Sequence, residues 1–218
     1  IEYGNNIGYQ KIQLVTNGRM FANEDFAKKI ISAGVNELTF SIHGHNAKIH
    51  DNLTNVPGSF KQIIKGIKNI SKNSNIIINS DTCITKKNYK LLLEIVKFIS
   101  KTLKINEINL MNLLPIGNAW KYKENIMYEP KEVAPYIHKV IDYCRKNDIT
   151  LWLSRFPPEY LKDYEEYIED PIKRMDDVEA CMEELKKEIP GCKGEKCNYC
   201  PLNKICENLT KLNSTNST

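Results

Sequence analysis

The strongest constraint on the fold is a regular alternation of short β-type runs with amphipathic helical ones. Lys11–Thr16 (KIQLVT) reads as a strand ending at Asn17-Gly18. Asn23 then caps a helix with Glu24 and Asp25 in its first turn and Gly34 just past its end. Glu37–His43 (ELTFSIH) is a second strand. Ser59 caps a helix whose apolar Phe60, Ile63, Ile64, Ile67 and Ile70 follow helical spacing. Asn75–Thr82 is a third strand, and Asn88 opens a strongly apolar helix to about Leu103. Glu107–Leu114 is a fourth strand, ended by Pro115. A helix over Pro130–Lys146 turns Val133, Ile137, Val140, Ile141 and Cys144 inward, and Ile149–Leu153 is a fifth strand. Strands recurring every 26 to 42 residues with helices between them imply βα units and a parallel sheet. A doubly wound nucleotide-binding sheet and a partial (β/α) TIM-type barrel both satisfy that order. No glycine-rich fingerprint follows any strand, which favours the barrel.

The 218 residues suffice for one domain and a small appendage, and 41% hydrophobic with 27% charged residues is an ordinary globular balance. No run approaches the ~18 apolar residues of a membrane span. The opening IEYGNNIGYQ has neither a basic start nor an apolar core, and no initiator Met, so the expectation is a cytoplasmic chain cut from something longer. Between Pro157 and Pro190 there are 12 acidic residues against 5 basic ones. That asymmetry reads as solvated helix faces, and basic residues are nowhere interleaved with aromatics as nucleic-acid binding would need. The expected organisation is a barrel-type core over 1–156, a helical cysteine-bearing extension over 157–210, and a disordered polar tail over 211–218.

Ligands of parallel α/β folds sit at the C-terminal strand ends. Polar residues recur there: Thr16-Asn17-Gly18, then Ser41-Ile42-His43-Gly44, then Asn79, Asp81 and Thr82, and finally Asn112 with Pro115-Ile116-Gly117. His43, His45 and His50 form a cluster without the spacing of a metal site, and His50-Asp51 before a helix reads as a turn organiser.

The stretch from IQLVTNGRM to KQIIKGIKNI resembles the middle of the radical S-adenosylmethionine (SAM) family's core. The matching pieces, in order, are the TNG turn, a helix ending in SAG, a strand ending in SIHG, an HD pair, a PGSF helix start and a Gly-containing helix; NLLPIGNA resembles the end of the family's sixth core strand. The resemblance covers about residues 8–120. It implies that Ser41 meets the SAM ribose or amino-acid end, with His43 in the same strand end. Asn79 and Leu114, Pro115 and Gly117 would line the SAM pocket, and Thr16 and Asn17 would face SAM or substrate. Many relatives carry an arginine for the SAM carboxylate three residues after the HD pair, where this chain has Thr54. The family's CxxxCxxC loop, which holds the SAM-binding [4Fe–4S] cluster, is absent, and by register would precede Ile1. The implied electron donor is a ferredoxin- or flavodoxin-type protein. The substrate is not readable.

Cys192-x4-Cys197-x2-Cys200-Pro201-x4-Cys206 gathers four thiolates near the C-terminus. Four soft ligands suit tetrahedral zinc or an iron–sulfur cluster. One two-residue-spaced pair flanked by single cysteines, with proline after it, favours [4Fe–4S]. The alternative is a zinc-stabilised α/β interaction module without catalysis. Cys83 and Cys144 read as core residues, while Cys181 lies on a predicted helix upstream.

Overall fold

The computed structural model describes residues 1–72, 75–168 and 195–200. Its centre is a five-stranded sheet of β1 (Gln13–Thr16), β2 (Glu37–Ser41), β3 (Ile77–Cys83), β4 (Glu107–Met111) and β5 (Thr150–Ser154). The strands pair in chain order and every pair is parallel. Consecutive order separates the two sequence alternatives. A doubly wound sheet reverses its strand order at a switch point. Here each crossover advances by one strand, which with right-handed connections places the helices on one face. The fold is therefore singly wound α/β, consistent with part of a TIM-type barrel. The described strands form an open sheet with β1 and β5 at its edges.

The helices are α1 (Glu2–Asn6), α2 (Glu24–Ser32), α3 (Ala47–Thr54), α4 (Ser59–Ile70), α5 (Leu92–Lys97), α6 (Gly117–Lys121), α7 (Lys123–Ile126) and α8 (Pro130–Lys146). Strand side chains alternate between faces. Leu38, Phe40, Ile108, Leu110, Leu151 and Leu153 all point to the helix side and are buried in one cluster with Ile63 and Ile67 of α4, Ile95 of α5, and Val133, Ile137 and Ile141 of α8. Each such side chain contributes about 1.5–3 kcal/mol by leaving water. No helix among the described residues is long and apolar enough to cross a membrane. Beyond β5, Leu161 is fully buried, and Tyr160, Tyr164 and Ile168 pack on the same core. α8 fastens this segment through His138 Nε2 against Tyr160 O at 2.9 Å and Arg145 to Glu166 at 2.6 Å.

Three local expectations are corrected. Ser59 is not the N-cap of α4: the cap position is Gly58, and the first-turn N–H groups of that helix are met from α3 by Asp51. Asp51 accepts from Gly58 N and Phe60 N, both at 2.7 Å, and from Ser59 Oγ at 2.9 Å. Asn88 does not cap a single long helix. Its Oδ1 accepts from Thr85 N at 2.7 Å and its Nδ2 donates to Cys83 O and His43 O. The apolar run after it divides into a 3₁₀ turn, α5 and a π-helical end at Phe98–Thr102. There Ser100 Oγ donates to Val96 O at 2.8 Å, a side-chain competitor for the backbone ladder. Finally, His50-Asp51 does not organise a turn before a helix but lies within one, α3, which Asn46 caps by accepting from Ile49 N at 3.1 Å and Asn55 ends in the left-handed region.

Candidate functional site

The face of the sheet away from the helices is mostly polar, with Val15, Met111 and Trp152 as its apolar members. It lines a cavity of ≈ 510 Å³ running the length of the strands, from Lys11 and Glu37 to Ser154 and Arg155. Neighbouring strands place their polar side chains in rows. In the first row, Glu37 is 5% exposed, yet its carboxylate is fully engaged. Glu37 Oε1 accepts from Gln13 Nε2 and Asn79 Nδ2, both at 2.8 Å, and Oε2 pairs with Lys11 Nζ at 2.6 Å. The carboxylate raises the pKa of the Lys11 ammonium, first by hydrogen bonding and then by charge. In the second row, Asn109 Nδ2 donates to Asp81 Oδ1 at 3.2 Å, and Ser154 Oγ donates to Asn109 Oδ1 at 2.7 Å. Cys83 lies one row farther on. Burial, then Asp81, pushes its thiol pKa up, so it remains protonated near neutrality.

Of the residues singled out in the sequence, Asn79 lines the cavity. Ser41 is on the same face, in register with Asp81, and its hydroxyl makes no hydrogen bond among the described residues. Thr16 and Asn17 hold their own turn: Thr16 Oγ1 accepts from Gly18 N at 3.1 Å and Asn17 Oδ1 from Arg19 N at 3.2 Å. That turn sits directly on α4, where a Cβ on Gly66 would come within 2.6 Å of Gly18 O. Leu114 and Pro115 are buried, and Gly117, with φ +52°, opens α6. These strand-end residues are not part of the cavity lining, but parallel pairing puts all of them on one edge of the sheet.

His43 and His50 act as acceptors for backbone. His43 Nδ1 accepts from Cys83 N at 3.3 Å, and His50 Nδ1 accepts from His43 N at 3.2 Å. Each proton is thereby assigned to Nε2. Burial, then the charge of His50, lowers the pKa of His43 to about 4, and burial lowers that of His50 as well. Thr54, which stands at the arginine position of many relatives, bonds Ser59 Oγ at 2.8 Å within the α3–α4 turn.

At the same edge, Asn112 joins β4 to β5. Its Nδ2 donates to Arg155 O at 3.1 Å, and its Oδ1 accepts from Tyr128 OH at 2.5 Å. Arg155 has φ +60°, a conformation costing an L-residue about 1–2 kcal/mol, and the Asn112 bond holds it there, beside the cavity.

Cys197 and Cys200 lie on a short 3₁₀ turn, Glu195–Tyr199, continued by a bond from Cys200 N to Cys197 O at 3.3 Å. Residues three apart on such a turn share a face, so the two thiols fit one thiophilic metal centre. Cys192 and Cys206, like Cys181, lie outside the described residues. Among the described residues no group of three metal-ligating side chains is assembled.

Sequence reading missed Glu37, Asn109 and Ser154 as a set. Their signal was present: ELTFS alternates polar and apolar with period two, and EINLM and TLWLS do so except at Met111 and Trp152. Parallel strands buried on both faces read as near-continuous apolar runs instead. The alternation therefore marks one face built for water or a ligand.

No family profile matches this chain. It is similar to proteins named "Probable GTP 3',8-cyclase" from Saccharolobus islandicus, at 29% identity over 137 residues, covering 62% of this chain and 42% of that protein. The counterpart from Saccharolobus solfataricus gives the same identity and coverage. A protein named "AdoMet-dependent heme synthase" from Methanosarcina barkeri is 27% identical over 149 residues, 68% of this chain and 41% of its own length. The chain thus spans well under half of the curated relatives it matches.

Proposed function

We propose that this chain is part of a radical SAM enzyme: SAM binds at the C-terminal edge of the sheet, and a substrate is held over its polar face. The observation that carries the reading is the extended similarity to enzymes named as a GTP cyclase and an AdoMet-dependent heme synthase, both of the radical SAM family, in a chain with a singly wound parallel sheet. The Ser41 hydroxyl is available to the SAM ribose or amino-acid end. Leu114, Pro115 and Gly117 offer backbone and apolar surface to the adenine, with Asn79, His43, Thr16 and Asn17 around them. SAM, reduced by a [4Fe–4S] cluster, supplies a 5′-deoxyadenosyl radical for hydrogen abstraction. The chain's own contribution is positioning. Its cavity network is preorganised by Glu37 and Asp81, so polar groups need no reorganisation when substrate arrives.

Cys192, Cys197, Cys200 and Cys206 are proposed to hold an auxiliary [4Fe–4S] cluster. With all four thiolates as ligands that cluster has no open iron for SAM. The sequence contains no CxxxCxxC spacing, so the 218-residue chain, reconstituted with iron, sulfide and a reductant, is expected to be brown but to form no 5′-deoxyadenosine. A chain extended through an upstream CxxxCxxC segment is expected to form it. A colourless protein with one stoichiometric zinc, inert even when extended, would instead support the zinc-stabilised interaction module.

A further inference from the structure

We propose that Trp120 and Lys123 are positioning residues for the cysteine metal centre, clamping the Cys197–Cys200 turn onto the segment that follows β4. The proposal rests on the reading above that these cysteines hold a metal. The contacts come from both sides of the turn. Tyr199, the residue before Cys200, meets Trp120 edge-to-face with ring centroids 6.0 Å apart. The Lys123 ammonium lies 4.3 Å from the centre of the Trp120 ring and 5.6 Å from that of Tyr199. The same ammonium pairs with Glu195, at the start of the turn. A single cation thus joins both rings and the turn's carboxylate, and its side chain is only 21% exposed. Cation–π contacts of this kind gain strength as they are desolvated.

The location gives the clamp its consequence. Trp120 belongs to α6, whose N-cap is Ile116, and Trp120 N bonds back to Ile116 O at 3.3 Å. The cysteine turn is therefore fastened one helical turn from Pro115 and Gly117. Although remote in sequence, the Cys197–Cys200 turn is tied to the strand-end edge of the sheet. Neither α6, which carries Trp120, nor α7, which starts at Lys123, buries any of its residues, so substitutions in the clamp spare the core.

The test uses the full chain, loaded anaerobically with ferrous iron and sulfide. Trp120 and Trp152 are the only tryptophans, so in a Trp152→Phe background the emission reports on Trp120 alone. Loading is expected to quench it by energy transfer to the visible-absorbing cluster. Lys123→Gln and Trp120→Leu are expected to lose iron to a chelator about tenfold faster, the scale of losing a metal site's outer support, while Lys123→Arg and Trp120→Phe retain most of it. Far-UV circular dichroism establishes that each variant is folded. Equal rates of iron loss in all variants, or no quenching on loading, would overturn the clamp. Failure of the unmodified chain to take up iron would instead overturn the metal reading beneath it.

Discussion

Asn112 shows how much a single amide can settle at this edge. It is buried, and both ends of its side chain are engaged: Tyr128 OH donates to one and Arg155 O accepts from the other. Tyr128→Phe removes the donor without changing shape and leaves a buried carbonyl unpaired. We expect a loss of about 1–3 kcal/mol in urea-unfolding free energy, and any smaller loss would mean that the amide finds another partner. His43 governs a second, pH-dependent contribution. Its folded pKa of about 4 lies below the ordinary 6.5, so the unfolded chain takes up the proton first as pH falls. The stabilisation is complete above pH 6.5 and is lost between 6.5 and 4, up to about 3 kcal/mol. His50 shifts in the same direction. His43→Gln keeps an acceptor for Cys83 N but cannot titrate, so denaturation midpoints across this window are expected to fall less steeply than in the parent.

Among the elements, α4 is the most constrained by its neighbours. Gly66 leaves room for the backbone of the Thr16-Asn17-Gly18 turn, and a Cβ there would lie 2.6 Å from Gly18 O and 2.9 Å from Phe21 Cβ. Gly66→Ala raises helix propensity yet is expected to destabilise by about 1–3 kcal/mol, because backbone must move. A stability equal to or above the parent's would show that the turn yields freely. The elements legible in advance were those whose signals are local. α8 carries Pro at its first turn, a Glu129–Glu132 capping box and an unbroken apolar stripe. The Asn23 cap of α2 is local too. The misread starts were those governed at a distance: Asp51 serves a helix that begins eight residues later, and Asn88 serves His43, forty-five residues earlier. The span from His43 to Asn88 exceeds any local window, and Asp51 reaches across a turn that helical periodicity does not record.

Taken whole, the molecule separates a helix–sheet core from the cysteine segment. The core cluster includes no residue from 195–200. In protein loaded with iron as proposed above, stripping the metal with a chelator is therefore expected to leave the main thermal transition of the sheet in place while exposing the Cys197–Cys200 turn to thiol reagents. Loss of the main transition would mean that metal supports the entire fold. The candidate site was only half legible for a related reason. Strand ends can be located from loops, which led to Ser41 and the Leu114–Gly117 segment. The bonds of Glu37 with Asn79, of Asp81 with Asn109 and of Asn109 with Ser154 run between strands, and the strand order and register that bring them together became visible only with the sheet.

The two-residue period of these strands also has a bearing on how such a chain diversifies. In Glu37–Ser41 the positions of Leu38 and Phe40 answer to the helices, while those of Glu37, Thr39 and Ser41 face the opposite way. A mutation at one set leaves the packing partners of the other untouched. Changes to alternate letters of five short words can therefore remodel the polar face while the helix-facing scaffold stays as it is.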